Sequence, residues 1–173
     1  MNDDNLGTLF SFIKDETVRE KLLASKDRIE RSFDELFSGY LLTAEDILND
    51  VAQVDDYHGV VQMLDIQFYS MCEHHFAPYF GSCDIHYQPG TIITGLGKLV
   101  RLVRDVHSKR LQIQELMTRD ICNDIMRVLG AKGCFVRTRA KHLCICSRGP
   151  NDDVAETVCT YSNGSLKEVF NKV

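Results

Sequence analysis

The chain has 173 residues, a formal net charge of −5 and seven cysteines. This length fits one domain that buries most of its apolar surface, and the acidic balance argues against nucleic acid as a partner. The odd number of cysteines lacks the spacing of a disulfide framework, which favours a reducing setting. Neither a membrane span nor a secretory signal is found in the sequence, so we expect a cytoplasmic protein without a membrane partner.

The N-terminal region, residues 1–58, is predicted to be mainly helical. Apolar residues recur at helical spacing in residues 12–23 and 26–38, and Gly39 is typical of a helix end. Thr43 is a candidate N-cap for a third, short helix. We expect this region to form a lid or a packing layer around a catalytic domain of residues 59–173.

That second region alternates between strand and helix patterns. Two helices are predicted from Gly95 and from Gln112, the second ending at Gly130, and a short C-terminal helix is expected over residues 165–173. The predicted strands cover residues 61–69, 80–87, 92–93, 134–139, 142–147 and 157–161. This order predicts an α+β fold in which an antiparallel four-stranded sheet carries two antiparallel helices on one face. Because an open sheet edge favours pairing with another chain, we also expect a homo-oligomer.

A candidate metal site begins with Cys72 and His75, which lie three residues apart in a predicted turn between two strands. A thiolate and an imidazole at this spacing suit zinc. Cys144 and Cys146, on one face of a predicted strand, are candidates for the remaining ligands. Three protein ligands indicate a catalytic zinc site and four a structural one, and the spacing leaves both open. The other cysteines are expected to be small buried hydrophobes: Cys83, Cys122, Cys134 and Cys159.

Five motifs occur in one order along the chain: Leu36-Phe37-Ser38-Gly39-Tyr40, Phe68-Tyr69-Ser70-Met71-Cys72-Glu73-His74-His75, Gly95-Leu96-Gly97-Lys98-Leu99, Arg110-Leu111-Gln112-Ile113-Gln114-Glu115, and His142-Leu143-Cys144 with Arg148-Gly149. From about Arg28 onward, the sequence resembles GTP cyclohydrolase I, a zinc enzyme of the tunnelling fold, as a somewhat divergent member. The resemblance implies sheets that join into a barrel across subunits. It also implies a homodecamer of two pentameric rings with shared active sites.

The implied reaction is the hydrolytic opening of the guanine imidazole ring of GTP at C8. Formate is released, and the product rearranges to 7,8-dihydroneopterin triphosphate. The resemblance implies Zn²⁺ as the cofactor, held by Cys72, His75 and Cys144, which leaves Cys146 outside the ligand set. His74 and His142 match the family's proton-transfer histidines, a role that suits a side chain whose pKa lies near neutral pH.

The substrate-binding residues are also implied by the resemblance. Gln114 and Glu115 match the positions that anchor guanine, since a carboxylate can accept hydrogen bonds from N1–H and from the exocyclic amino group. The triphosphate requires cations, and the matching positions are Lys98, Arg101 and Arg148, to which Arg28 and Arg31 are candidate additions from the N-terminal helices.

One departure from the family pattern concerns the reaction. Gly97 stands where the family usually has a serine whose hydroxyl contacts the substrate. This change motivates two alternatives to the complete reaction: a paralogue that stops at a ring-opened product or acts on another purine nucleotide, and a catalytically silent nucleotide-binding protein.

Overall fold

The computed structural model describes residues 11–167, and the chain divides into two compact units, Met1–Glu35 and Leu36–Val173. The N-terminal unit contains helix α1 (Glu16–Ala24) and most of helix α2 (Lys26–Leu36). The Asp15 side chain caps α1 by accepting a hydrogen bond from the Val18 N–H. Both predicted helices are therefore present, whereas a domain boundary between residues 58 and 59 stays a prediction.

Gly39 has a different role from the helix end that the sequence predicts. Helix α2 ends at Leu36, and Gly39 lies in a following 3₁₀ turn, Ser38–Leu41. A Cβ atom at Gly39 would collide with the carbonyl oxygen of Val106. Glycine is thus required here because two backbone segments approach each other closely.

Two short elements follow the 3₁₀ turn. Helix α3 (Ala44–Ile47) begins with a capping box, in which Thr43 and Asp46 exchange side chain to backbone hydrogen bonds; this confirms the predicted cap. Strand β1 (Val51–Gln53) pairs with strand β4 (Ile92–Thr94) in a separate two-stranded sheet. The sequence pattern does not predict β1, because three residues are too few to show an alternating pattern.

The main sheet contains five strands in the order β5-β2-β3-β6-β7. Its strands are β2 (Val61–Cys72), β3 (Ala77–Gln88), β5 (Leu111–Gln112), β6 (Gly133–His142) and β7 (Thr157–Gly164). The four long strands are antiparallel, and the two-residue β5 adds a parallel edge to β2. The predicted α+β class is confirmed, and β5 is an element that the sequence analysis did not find.

The helices that follow β4 cover part of this sheet. Helix α4 (Leu96–Arg101) continues as a π-helix over Leu102–His107, and helix α5 (Gln114–Leu129) packs against β6 and β7. Helix α5 ends at Gly130, whose φ of 57° is the left-handed conformation of a typical C-cap. No helix within residues 11–167 has both the length and the apolar character needed to cross a bilayer.

The predicted strand over residues 142–147 is wrong. Strand β6 ends at His142, and the chain turns directly into a short helix, α6 (Leu143–Cys146). A four-residue apolar run carries too little periodicity to distinguish a strand from a helical turn. The C-terminal helix expected over residues 165–173 lies for most of its length outside the described residues.

The core lies between the main sheet and the helices that pack on it. Phe68 and Ile85 from the sheet and Leu102, Ile121 and Ile125 from the helices are almost completely buried. Cys83, Cys122 and Cys134 belong to this core as predicted, whereas Cys159 is only partly buried.

Asp84 forms the most buried ion pair of the sheet. A bulge in β2 gives Asp65 a φ of 55°, and its N–H donates to Asp84 Oδ1 at 2.9 Å. Arg137 donates to Asp84 Oδ2 through Nε at 2.9 Å and through Nη2 at 2.6 Å. Burial alone would raise the pKa of Asp84, but these donors and the charges of Arg137 and Arg139 outweigh burial and lower it.

The substitution Asp84→Asn is expected to lower the free energy of unfolding by about 2 kcal/mol at pH 7, because it weakens charge-assisted hydrogen bonds. The lowered folded-state pKa means that this contribution is complete above about pH 4, the ordinary range of an aspartate, and is lost as the pH falls through the folded-state value. Urea denaturation at equal protein concentrations measures the difference at pH 7 and below pH 4. The half-exposed pair of Arg119 and Asp120 offers a control, since Asp120→Asn should cost less than about 1 kcal/mol. A difference that does not change with pH would contradict the assignment.

Candidate active site

The candidate site starts in the hairpin loop that joins β2 to β3. Cys72 is the last residue of β2 and pairs with Ala77, the first residue of β3. Phe76 has a φ of 50°, and its N–H donates to the Cys72 carbonyl at 2.9 Å. This tight turn keeps His75 close to Cys72, which is the arrangement that their spacing predicts.

The third member of the site comes from the other side of β3. Cys144 lies in the first turn of α6, immediately after β6. The ligand atoms of Cys72, His75 and Cys144 all lie within 4.8 Å of one another, with both cysteines buried and the histidine exposed. Cys146 is outside this cluster, because in a helix residues two apart point to different faces. Within the described residues, the structure brings three candidate ligands together.

Two thiols and one imidazole are a donor set of the kind that binds zinc. Zinc binds sulfur at about 2.3 Å and nitrogen at about 2.0 Å, which places the ligand atoms of a tetrahedral site roughly 3.5 Å apart. Burial, and next the neighbouring Cys72, raise the pKa of the Cys144 thiol. A bound cation would reverse this effect by stabilising both thiolates.

A cavity of about 270 Å³ opens beside the cluster. Four further residues that the sequence analysis selected line it together with the cluster: His74, Gln114, Glu115 and His142. His74 is exposed, with Nδ1 4.0 Å from the Cys72 sulfur. Glu115 is exposed in the first turn of α5. The cavity thus combines candidate metal ligands with two imidazoles and a carboxylate.

His142 is held from two directions. Its ring stacks on the buried ring of Tyr79 with a centroid distance of 4.6 Å and an interplanar angle of 1°. Its Nε2 lies 2.8 Å from Oε1 of Gln114. Burial lowers the pKa of His142, which the charge of Glu115 partly opposes. This histidine is therefore a fixed, largely neutral imidazole at neutral pH.

Tyr79 is a component of the site that the sequence analysis missed. It lies one residue before the predicted strand over residues 80–87, so it was not placed in any element. Burial raises the pKa of Tyr79 to about 12, and its neutral hydroxyl donates to the sulfur of Met117 at 3.5 Å. Only its pairing with His142 across β3 and β6 identifies it, and no local sequence pattern carries that information.

The predicted triphosphate residues do not line the cavity. Lys98 donates to the Asn49 side chain at 3.1 Å, and Arg101 pairs with Asp105 at 3.1 Å. Arg148 is exposed in the turn after α6, where its charge acts on Cys144. The two remaining candidates, Arg28 and Arg31, are exposed on α2.

The fold and the site define an α+β protein with a candidate metal-binding active site where the strands β2 and β6 end. The chain belongs to the GTP cyclohydrolase I family, whose model matches residues 3–172. This confirms the family that the sequence motifs predict and, with it, an enzyme of this type.

Two relatives illustrate the match. The chain is 39% identical over 165 residues to the GTP cyclohydrolase 1 of Wolinella succinogenes, covering 95% of this chain and 88% of the relative. It is 40% identical over 164 residues to that of Clostridium kluyveri, with coverages of 95% and 88%. Among solved structures, the archaeosine synthase QueF-Like in its apo form has a TM-score of 0.48 at 11% identity, covering 64% of this chain and 98% of its own. A likeness at that level does not establish a shared fold.

We expect Cys144→Ala to abolish the retention of zinc and Cys146→Ala to leave it largely intact, because only Cys144 lies in the three-residue cluster. The measurement is the zinc content per chain after reconstitution and extensive dialysis. Cys146→Ala is a matched control, since it removes a thiol from the same helical turn. Equal loss of zinc in both variants would refute a three-ligand site.

Proposed function

We propose that the protein catalyses the GTP cyclohydrolase I reaction, converting GTP and water to formate and 7,8-dihydroneopterin triphosphate. The observation that carries this proposal is the convergence, in one cavity, of the Cys72–His75–Cys144 cluster with His74, His142 and Glu115. Membership in the family supports the same reaction.

Zinc is the metal that we propose for the cluster, held by Cys72, His75 and Cys144. When bound, it supplies Lewis-acid activation of water at neutral pH, which opening of the ring at C8 requires. With Cys72, His75 and Cys144 as its protein ligands, a bound zinc ion would remain accessible to substrate or solvent.

The other cavity residues bind the base and move protons. The Glu115 carboxylate can accept hydrogen bonds from N1–H and from the exocyclic amino group of guanine, two donors that adenine does not present together. His142 and His74, which both line the cavity, are the residues that we propose to exchange protons with the purine ring and the ribose. The fixed ring of His142 suits this role, because proton transfer depends on a well-defined geometry.

The binding of the triphosphate requires positive charge from outside this cavity. We propose that Lys98, Arg101 and Arg148 supply it, with Arg28 and Arg31 contributing from α2. Their separation from the described cavity lining fits an active site that is completed between subunits. We therefore propose a homodecamer with the tunnelling-fold barrel, in a cytoplasmic setting. Tyr69 is exposed and stacks on Phe80 of the neighbouring strand. This exposed aromatic pair supports burial of the sheet face in an oligomer.

The experiment that tests the reaction is incubation of the zinc-loaded protein with GTP. Formate release and the fluorescence of the oxidised pterin are followed in parallel, and we expect both products in equal amounts. A Cys144→Ala preparation serves as the inactive control. Absence of both products from zinc-loaded protein would overturn the proposal.

Gly97 motivates the alternative of a paralogue that stops at a ring-opened product, and the same assay tests it. A Cβ atom added at Gly97 would meet no atom within 4 Å, so a serine would fit there, and glycine lacks the hydroxymethyl group that carries the hydroxyl. Formate or a ring-opened product without pterin would indicate that the late ribose steps need this hydroxyl. The protein would then be a paralogue that stops at the ring-opened product.

Glu115→Gln is expected to reduce the preference for GTP over ATP by roughly 10- to 100-fold in kcat/KM, because a neutral amide weakens charge-assisted hydrogen bonds to guanine by about 1.5–3 kcal/mol. Competition between the two nucleotides measures the preference. The exposed Glu45→Gln, on α3 and outside the lining of this cavity, is the control. An unchanged preference in Glu115→Gln would remove Glu115 from guanine recognition.

A further inference from the structure

The side chain of Gln114 is oriented by groups that accept hydrogen bonds. It is 1% exposed, and its Nε2 lies 3.2 Å from the Thr138 carbonyl oxygen, 3.1 Å from the Thr157 carbonyl oxygen and 3.0 Å from Thr138 Oγ1. Carbonyl oxygens only accept hydrogen bonds. The atom that faces them must therefore be the amide nitrogen, and the assignment of Nε2 and Oε1 follows from the partners.

Two threonine hydroxyls reinforce this orientation. Thr118 Oγ1 donates to the backbone carbonyl oxygen of Gln114 at 2.7 Å and lies 2.7 Å from Thr138 Oγ1. Because the Thr118 proton is used in this way, Thr138 must donate to Thr118, and Gln114 Nε2 donates to Thr138. The hydrogen bonds thus run in one direction around a buried ring, from Gln114 Nε2 through the hydroxyls of Thr138 and Thr118 to the backbone carbonyl oxygen of Gln114.

The remaining polar atom of the amide, Oε1, faces His142 Nε2 at 2.8 Å. An amide oxygen cannot donate, so His142 Nε2 must carry a hydrogen. In the neutral imidazole the lone pair is then on Nδ1. Within residues 11–167, Nδ1 makes no hydrogen bond, while the ring face is covered by Tyr79.

We infer that Gln114 is a positioning residue, which holds His142 as the Nε2–H tautomer and leaves Nδ1 as the nitrogen that exchanges a proton in the reaction. This inference rests on the proposed function of His142. It also separates Gln114 from its neighbour: Glu115 faces the cavity with an exposed carboxylate, whereas the polar side-chain atoms of Gln114 are already bonded inside the protein. A contact of the Gln114 side chain with guanine would leave buried carbonyl or imidazole groups without their partner.

The kinetic test compares Gln114→Met, which keeps the length of the side chain and removes both polar atoms, with the unmodified protein. We expect kcat to fall roughly 10- to 100-fold, as for other residues that orient a catalytic group through one hydrogen bond, and KM for GTP to change less than about 2-fold. Gln53→Met, on an exposed strand, is the matched control and should change neither constant. A raised KM with an unchanged kcat would overturn the inference in favour of guanine binding.

A double-mutant cycle distinguishes positioning from general support of the structure. If Gln114 acts through His142, Gln114→Met should cause less than about 2-fold further loss in a His142→Asn background. Equal losses in both backgrounds would overturn the inference. Thr118→Val provides a milder second variant, which opens the hydrogen-bonded ring but keeps Gln114, and should lower kcat in the same direction.

A spectroscopic measurement tests the tautomer without turnover. In protein labelled with ¹⁵N-histidine, the His142 signals are those lost in His142→Asn, and protonated and bare ring nitrogens have well-separated shifts. At pH 8 we expect a protonated Nε2 and a bare Nδ1, changing to a mixture of tautomers in Gln114→Met. A protonated Nδ1 in the unmodified protein would overturn the inference even if the protein converts GTP. The expected tautomer in a protein that yields no formate and no pterin would overturn the proposed function instead.

Discussion

The site depends on one constraint of the sheet: β3 lies between β2 and β6 and runs opposite to both. Two strands that are antiparallel to the same neighbour run in the same direction, so β2 and β6 both finish at the same end of the sheet. Cys72 ends one strand, and Cys144 follows the end of the other. Long-range strand pairing, rather than local sequence, therefore brings the two cysteines together.

A second connection places the start of α5 at the same end of the sheet. The short strand β5 pairs with the last residues of β2, and α5 begins directly after it. Arg110 precedes β5 and donates to the carbonyl oxygens of Gly39 and Leu42. Two contacts thus fix the start of the helix that carries Gln114 and Glu115. One is the close backbone packing at Gly39, and the other is the set of hydrogen bonds from Arg110.

The sequence predicted the parts of the site that local chemistry determines. The spacing of Cys72 and His75 indicated a shared metal, and the five motifs indicated the family. Spacing failed at residues 142–147, where a short apolar run forms a helical turn, and so it could not separate Cys144 from Cys146. The role of Tyr79 and the hydrogen bonds of Gln114 depend on β3, β6 and β7 lying side by side, which no local pattern encodes.

The cavity lining lacks the positive charge that a triphosphate group would need. No lysine or arginine is present among the described residues that line it, although a nucleoside triphosphate carries about four negative charges. Placing such charge in a partly buried pocket without cations would be unfavourable. A nucleoside triphosphate bound in this cavity would therefore need cations from outside the described lining to compensate its phosphate charge. Of the three proposed in this part of the chain, Lys98 and Arg101 already have partners in Asn49 and Asp105. If these two side chains bind the triphosphate as proposed, each must exchange its present partner for phosphate oxygens.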